Sequence, residues 1–490
     1  MKLKPVYNAL TGKFDFVNQD AVSKDLGQYT TLTALQTAYP SPDSGSYARV
    51  VATNTYYVYE GGAWVNSGLT YEAANVDFRE YNNQSTDPSA PEAGKARIYV
   101  KNNRLLLRND TQIIPVNTIE PSIIRRDRTG ASTEWEPVNS QAMAELVLNS
   151  FSSATVNDDA TVNYYLHSDT PEKKFDGSDS ALDGGDGQVM IVSRAPIYLK
   201  EWQDGNYDYK AISLLPADGF EEFPRFGIGK YKGYIDANGK LCSISGVTPT
   251  TNITPIEGEA AAQLRGSNWH IEPYGFTRLI VNLLLFKILS NDAQTELGYV
   301  SRANSTDWLN YNNYNPVVKT GYMNDQKSLF TGNKPLTLTN FVGGTSDLVT
   351  EIVSFLGIEN FFGETWEWKI GLNILYDTTH MAVLYKKLPP YEFDTTANHT
   401  EIAYIPSPAS AYVKELIPGH IIPQLTGGGS ATYFCDYHYK GSAGWRVPRS
   451  GGSFSSGSNS GPFFFGFNVS SGYRNASIGV RSFCLIAGTN

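Results

Sequence analysis

The chain has 490 residues, 41% apolar and 18% charged, so a packed core is within reach and global disorder is excluded. A formal net charge of −10 gives no broad attraction for phosphate backbones, which excludes nucleic acid as the expected partner. With 31 Tyr, 23 Phe and 8 Trp, the balance suits β-rich extracellular or virion proteins better than helical cytosolic enzymes. Length sets a prior of roughly two to four domains. The opening Met1–Leu10 has neither an apolar h-region nor a small-residue cleavage site, so no signal peptide is read there, and synthesis in a cytoplasm is expected.

Residues 1–28 are polar, with a turn expected at Leu10–Lys13. Thr31–Tyr39 sets Leu32, Leu35 and Tyr39 at helical spacing, and Pro40 stops the helix. Strands follow at Ala48–Thr53 and Thr55–Tyr59, the second passing through Glu60-Gly-Gly into Ala63–Val65 as a hairpin. Asn82–Gly94 is a linker by composition, and a second hairpin runs from Ala96–Val100 through Lys101–Asn103 to Arg104–Leu107. Hairpins of this size bury no core alone, a problem that trimeric intertwining or docking on a larger partner solves.

From about residue 120 the character changes. Helices are expected at Ser140–Asn149, at Tyr274–Ser290 and at Asp347–Leu356, the last ended by Gly357. In the second, Phe276, Leu279, Ile280, Leu283, Leu284, Lys287 and Ile288 follow the 3.6 period, and Asn291-Asp292 stops it. Its Leu279–Leu289 run is about half the ~20 residues a membrane span needs, and it contains Asn282 and Lys287, so no membrane insertion is expected. Strands are expected at Gln188–Arg194, Ile197–Trp202, Trp366–Ile370, Ala382–Lys386 and through the last stretch of the chain. The polar Ser301–Tyr322 stretch reads as a long ordered loop.

Few residues carry the signature of a reaction. Asp183-Gly-Gly-Asp-Gly187 lacks the closing Glu of an EF-hand and reads as a turn into the Val189–Val192 strand. Glu364 and Glu367 are the two carboxylates that a glycosidase cleft would use. Nothing pairs Glu367 with a second acid, however, and a hydrogen-bonded Glu among core aromatics is the favoured reading. Cys242, Cys435 and Cys484 form no CxxC pair, which argues against a zinc ribbon or a dithiol site. Between Cys435 and Cys484 a disulfide and two buried thiols both stand, the thiols favoured. His438, in Cys435-Asp-Tyr-His-Tyr439, reads as part of a contact surface. The histidines show no HxxxH spacing, and neither a Gly-x-Ser-x-Gly elbow nor a P-loop is present. No cofactor and no metal are expected.

The richest segment is the last one. Gly444–Phe454 leads into a Ser/Gly/Asn run, then Phe463–Phe467 and Tyr473–Phe483. Residues 453–461 alone read equally well as a flexible linker. The aromatics that follow, and the apolar Ile478, Val480, Phe483, Leu485 and Ile486, favour a folded platform. Tyr and Phe supply contact area there, while Ser, Gly and Asn supply adaptable hydrogen bonding. Gly451, Gly452, Gly461 and Gly479 allow tight turns, Trp445 and Phe483 can pack below, and Arg449 and Arg481 can bridge strands.

Several stretches resemble known families. The 30–70 region, with Leu32, Leu35, Tyr39-Pro40 and the Tyr57–Val65 hairpin, resembles modules of bacteriophage fibre proteins, as does the 96–107 unit. Gly357–Trp368 (Gly-Ile-Glu-Asn-Phe-Phe-Gly-Glu-Thr-Trp-Glu-Trp) resembles the GxxENxxGxxWEW element of the formylglycine-generating-enzyme type of C-type lectin fold. Gly444-Trp-Arg-Val and Arg449–Phe454 are similar to its RxxRGGSW, with Phe454 in place of Trp, and Ile478–Arg481 to its closing strand. The enzymes of that family use a close cysteine pair, which is missing here. The similarity over 435–483 is to its non-enzymatic branch, ligand-binding proteins diversified by retroelements through adenine mutagenesis. That resemblance implies diversified, ligand-binding positions at Ser455, Ser456, Asn459, Gly466, Asn468, Tyr473, Asn475 and Ser477, with Tyr437 and Tyr439.

The expectation is therefore an α+β chain. Residues 1–115 form a virion-attachment and oligomerisation region of small β modules, and 116–490 a C-type lectin-like domain. It is expected to be a phage virion fibre of head or tail, on the virion surface, a homotrimer joined to other virion proteins through its N-terminal region. It binds a host cell-surface glycan or protein without catalysis. The alternatives are a structural virion decoration protein, or an enzyme of the same fold, glycan-acting or oxidase-like.

Overall fold

A computed structural model describes residues 120–300, 317–338 and 348–487. Before residue 120 it describes 3–8, 13–18, 25–42, 46–50, 52, 55–60, 62–70, 97–101, 104–108 and 113–115. The turn expected at Leu10–Lys13, the Asn82–Gly94 linker, most of the Lys101–Asn103 turn and the first part of Ser301–Tyr322 lie outside the described residues. Strands dominate, with five α-helices among the described residues, so the class is α+β.

Two compact units are present, Met1–Asn82 and Asn83–Asn490. In the first, Leu3–Asn8 pairs with Lys13–Asn18. A separate four-stranded sheet has the order Asp25–Tyr29, Tyr47–Val50, Thr55–Glu60, Ala63–Thr70. Its first two strands are parallel, and helix α1 (Leu32–Ala38) connects them. Thr31 caps α1 by accepting from the Ala34 amide at 3.1 Å, satisfying one of the donors that a helix start leaves open. Leu35, Val50, Tyr57, Tyr59 and Trp64 close a small core, and Trp64 Nε1 donates to the Tyr39 carbonyl at 2.9 Å. The helix and the hairpin expected here are both present.

In the second unit the Arg97–Lys101 and Arg104–Arg108 strands form the expected hairpin, extended by Ile113–Pro115. Beyond residue 120, α2 (Ala142–Asn149) and α3 (Pro255–Gln263) precede the dominant helix α4 (Tyr274–Ile288), and α5 (Ala293–Leu297) follows it. Buried residues run all round α4 from Tyr274 to Phe286, as expected of a helix enclosed on every side. Its Phe276 meets Phe226 and Phe483, and its apolar residues share one core with Ile374, Val383, Phe463 and Phe465. Arg278 of α4 is buried against Glu201 and Glu221. No helix among the described residues is long and apolar enough to cross a membrane.

The chain's last strand, Ser482–Leu485, is interior. It lies between Phe226–Gly229 and Trp269–Ile271 in a six-stranded sheet. The segment that precedes it is therefore anchored at its C-terminal end. Asp183–Gly187 turns into the Gln188–Ser193 strand as expected, with Gly184 and Gly187 at φ of 96° and 107°.

One expected helix is a strand. Leu348–Phe355 pairs along its length with Gly332–Leu338 and then turns back into Ile358–Glu359. The turn is made by Leu356 and Gly357, both at positive φ (50° and 77°), the geometry of a tight hairpin. Gly357 thus marks a reversal of a strand, not the end of a helix.

Candidate functional site

The segment from Tyr437 onward is built into a seven-stranded sheet. Its order is Pro423–Thr426, Ala411–Leu416, Tyr437–Tyr439, Phe465–Gly466, Arg449–Ser450, Trp366–Trp368, Ile478–Gly479. Register pairs Glu367 with Ser450, Ser450 with Phe465, and Phe465 with His438, so these four share one face. All are buried. Trp368, Arg449, Gly466 and Tyr439 are opposed on the other face, joined by Tyr412 and Tyr437, which also pair. Side chains alternate between faces along each strand, so half of this sequence is committed to the core and half to the opposite side.

On that opposite face the aromatic rings interlock. Tyr437 meets Tyr412 edge-on with centroids 5.3 Å apart and Tyr439 at 5.2 Å, and Phe464 supports both from below. Trp366 packs on Phe464 at 4.4 Å, and the Arg449 guanidinium lies 4.5 Å from the centre of the Trp366 ring. Tyr439 and Tyr473 are open to solvent, at 36% and 39% exposure. Arg449 Nη2 donates to Asn468 Oδ1 at 3.1 Å, and the Tyr412 hydroxyl donates to Asn459 Oδ1 at 2.6 Å. Tyr437, Tyr439, Asn459 and Asn468 are therefore linked through Tyr412 and Arg449.

The remaining candidate residues fall in two turns. Ser455 is exposed and Ser456 half-exposed, in a loop where Ser456 Oγ accepts from the Ser453 amide at 3.0 Å. Asn475 and Ser477 are half-exposed, and Asn475 Oδ1 accepts from both the Ser477 amide and its hydroxyl, at 3.0 and 2.9 Å. Gly466 is buried. A Cβ there would come 2.9 Å from Arg449 Nε, so a side chain enters only if Arg449 moves. His438, read from the sequence as a surface group, is buried too: its Nδ1 lies 3.0 Å from the Phe465 carbonyl, and burial pushes its pKa down to about 4.

Beneath this face the frame is closed. Asp436 accepts from the Phe463 amide at 2.6 Å and from Gln294, which also donates to the Ser460 carbonyl at 2.7 Å. Both ends of the 436–463 excursion are thereby tied to α5. Burial raises the Asp436 carboxyl well above its ordinary pKa. Arg481 Nε donates to Glu367 Oε1 at 2.9 Å, and its remaining nitrogens reach the carbonyls of Gly229, Glu359 and Asn360. Glu367 also takes Lys232 at 2.6 Å and Lys369 at 2.8 Å. It is the hydrogen-bonded core Glu that the sequence favoured. Glu364 is likewise buried and accepts from the Val318 amide at 2.9 Å. Cys435 and Cys484 are buried free thiols, and no cluster of metal-ligating groups occurs among the described residues.

Sequence reasoning missed Tyr412 and Trp366 as members of the surface. Tyr412 lies on a strand that carried no signal of its own. Trp366 was noticed only as part of a motif, and nothing in the motif says which of its two Trp residues leans toward Tyr439.

No protein-family model and no curated protein matches the chain. Among solved structures, the Major Tropism Determinant U1, I1 and M1 variants align with it. Each is 14% identical, with 95% of this chain and 100% of the other covered, at a TM-score of 0.26.

Proposed function

We propose that this chain is a receptor-binding fibre protein of a bacteriophage particle, acting by non-covalent recognition. Its first ~115 residues join the particle and promote trimer formation, in keeping with the small-module size that a larger partner must complete. The C-type lectin-like region, 116–490, binds a host cell-surface molecule through Tyr437, Tyr439, Ser455, Ser456, Asn459, Asn468, Tyr473, Asn475 and Ser477, around Gly466. One observation carries the reading: open Tyr, Ser and Asn side chains stand on a frame tied together beneath them by buried Asp436, Glu367 and Arg481. Such a support avoids the ordering cost of roughly 0.5–1.5 kcal/mol per side chain that a loose surface incurs on binding. Many copies per particle multiply a weak single contact.

The test is competition for adsorption. Purified full-length chain should block attachment of the particle to its host cells. The Ser455→Tyr/Tyr473→Ser variant should lose that ability while keeping its melting temperature. Undiminished blocking by the variant sinks the reading. Truncation at 435 is the wrong experiment, since it removes the Ser482–Leu485 strand from the middle of a sheet. Diversification of these positions would be marked in the genome by an adenine-bearing near-copy of the DNA for 435–483 beside a reverse transcriptase.

A further inference from the structure

Four arginines are buried among the described residues: Arg126, Arg278, Arg449 and Arg481, at 2%, 4%, 8% and 1% exposure. Three meet carboxylates. Arg126 pairs with Asp208 at 2.7 Å, Arg278 with Glu201 at 3.3 Å and with Glu221, and Arg481 with Glu367 at 2.8 Å. Arg449 meets none among the described residues. Its Nη2 has the neutral Asn468 amide oxygen, its Nε is buried without an acceptor, and its flat face rests on Trp366. Burial pushes its pKa down to about 10, and the ionisable groups that act on it are Tyr473 and Tyr439, the two open rings of the surface.

A buried cation without a counter-charge is costly, and proteins normally supply one. The side chain is nonetheless held in place. Gly466 opposite leaves room that a Cβ would take from Nε and Cγ, at 2.9 and 3.3 Å. A fixed, partly desolvated guanidinium with free N–H groups is suited to a carboxylate, which it binds with parallel charge-assisted hydrogen bonds.

We propose that Arg449 anchors an acidic side chain of the bound protein, an aspartate or glutamate of the receptor seated beside Tyr439, which lies across Gly466 on the same sheet face. This rests on the receptor-binding reading above and adds the chemistry of the partner. A protein carboxylate fits better than an acidic sugar. Tyr412, Tyr437 and Tyr439 meet at interplanar angles of 81° and 59°, so they present edges rather than parallel faces for a pyranose ring. Surfaces rich in Tyr, Ser, Gly and Asn are those that engage protein epitopes.

The experiment pans a random peptide display library on the full-length chain and keeps the peptides whose binding needs Tyr439. Those peptides should be enriched in Asp or Glu. Changing the key acid to its amide should weaken them roughly 30-fold or more on the parent chain, as removal of one partner of a desolvated ion pair does. On Arg449→Gln the same change should cost nothing further, and this lack of additivity separates a direct pair from a structural role. If Arg449→Gln does not fold, acid dependence of the Tyr439-requiring peptides on the parent chain decides alone. Tyr439-dependent peptides without acids, or an acid-to-amide loss equal on both chains, overturn the carboxylate and leave the receptor-binding reading intact. Capture of oligogalacturonate through Arg449, with no acidic peptide, overturns the choice of a protein. A change of oligomeric state in Arg449→Gln assigns the acid to a second copy of the chain and also overturns it. Failure to recover any Tyr439-dependent peptide counts against the receptor-binding reading itself.

Discussion

Glu367 Oε1 accepts from Arg481 Nε at 2.9 Å across 114 positions of sequence, and this bond ties the Trp366–Trp368 strand to the link between the Ile478–Gly479 and Ser482–Leu485 strands. Lys232 and Lys369 complete the site on Glu367, and Lys369 also meets Glu272 at 2.6 Å. Two carboxylates thus balance three cations away from water. Removing Glu367 leaves three cations against one carboxylate.

Glu367→Ala should therefore cost about 3–5 kcal/mol, the range for breaking a buried ion pair from one side. Burial alone would raise this carboxyl, but Arg481, Lys232 and Lys369 outweigh it and hold it well below the ordinary range. A lowered folded pKa makes its contribution complete above the unfolded value of about 4.3 and lost as pH falls below that. Urea denaturation of parent and variant at pH 7 checks the size. A variant as stable as the parent would remove Glu367 from the frame.

Histidine 438 gives a separate acid-side signal at milder pH. Its Nδ1 donates to the Phe465 carbonyl, and Nε2 is buried without a partner among the described residues. Protonation would put an unpaired N–H and a charge in the core. With the folded pKa pushed down by burial to about 4, stability is present in full above about 6.5 and declines as pH falls from there toward 4. The loss should reach roughly 3 kcal/mol. His438→Asn, which keeps a donor for Phe465, should flatten that limb of the stability–pH curve. An unchanged slope between pH 6.5 and 4.5 would show that other groups cause the loss.

Two glycines of the same segment should respond in opposite ways. A Cβ on Gly461 would sit 2.0 Å from Asp436 Oδ1, inside the network that ties the loop to α5. A Cβ on Gly472 meets nothing within 4 Å, and its φ is not in the left-handed region. Gly461→Ala should destabilise by about 1–3 kcal/mol or more through overpacking, and Gly472→Ala by no more than about 0.5 kcal/mol. Equal melting temperatures for the two variants would mean the loop is not held as described.

Much of this was readable in the sequence where local pattern and tertiary need agree. The period of Phe276, Leu279, Ile280, Leu283 and Leu284 defines α4, and the Gly-Gly after Glu60 marks a hairpin. Leu348–Phe355 carries two signals at once: Leu348, Ile352 and Phe355 keep helical spacing, while Val349, Thr350, Ile352 and Val353 are β-branched. The pairing with Gly332–Leu338 decides between them, and no local window contains it. The start of helix α3 is written in the sequence. Thr254 and Glu257 form a reciprocal capping box with Pro255 at the first turn. The site was half legible: alternation of small polar and aromatic residues marked the segment, but which side chains face out depends on strand register, and that buried Gly466 and His438.

The candidate positions should not all tolerate change equally, and the differences follow from their bonds. Ser455 is exposed and, among the described residues, its side chain hydrogen-bonds to the Ser453 hydroxyl at 3.2 Å, while Tyr473 reaches out from a turn. Substituting either should move stability by no more than about 0.5 kcal/mol, because little is buried or left unpaired. Asn475 differs: its carboxamide oxygen closes a turn on Ser477, and its backbone carbonyl takes the Asn252 and Ile478 amides. Asn475→Ala should cost about 1 kcal/mol, the net worth of the lost hydrogen bonds, and Asn475→Asp should recover most of it, since Asp closes the same turn. Melting curves for Ser455→Tyr, Tyr473→Ala, Asn475→Ala and Asn475→Asp order these cases. If Asn475→Ala is as harmless as Ser455→Tyr, position 475 is as free to vary as its neighbours. If Ser455→Tyr is the damaging change, the loop above Ser453 belongs to the frame and not to the surface it carries.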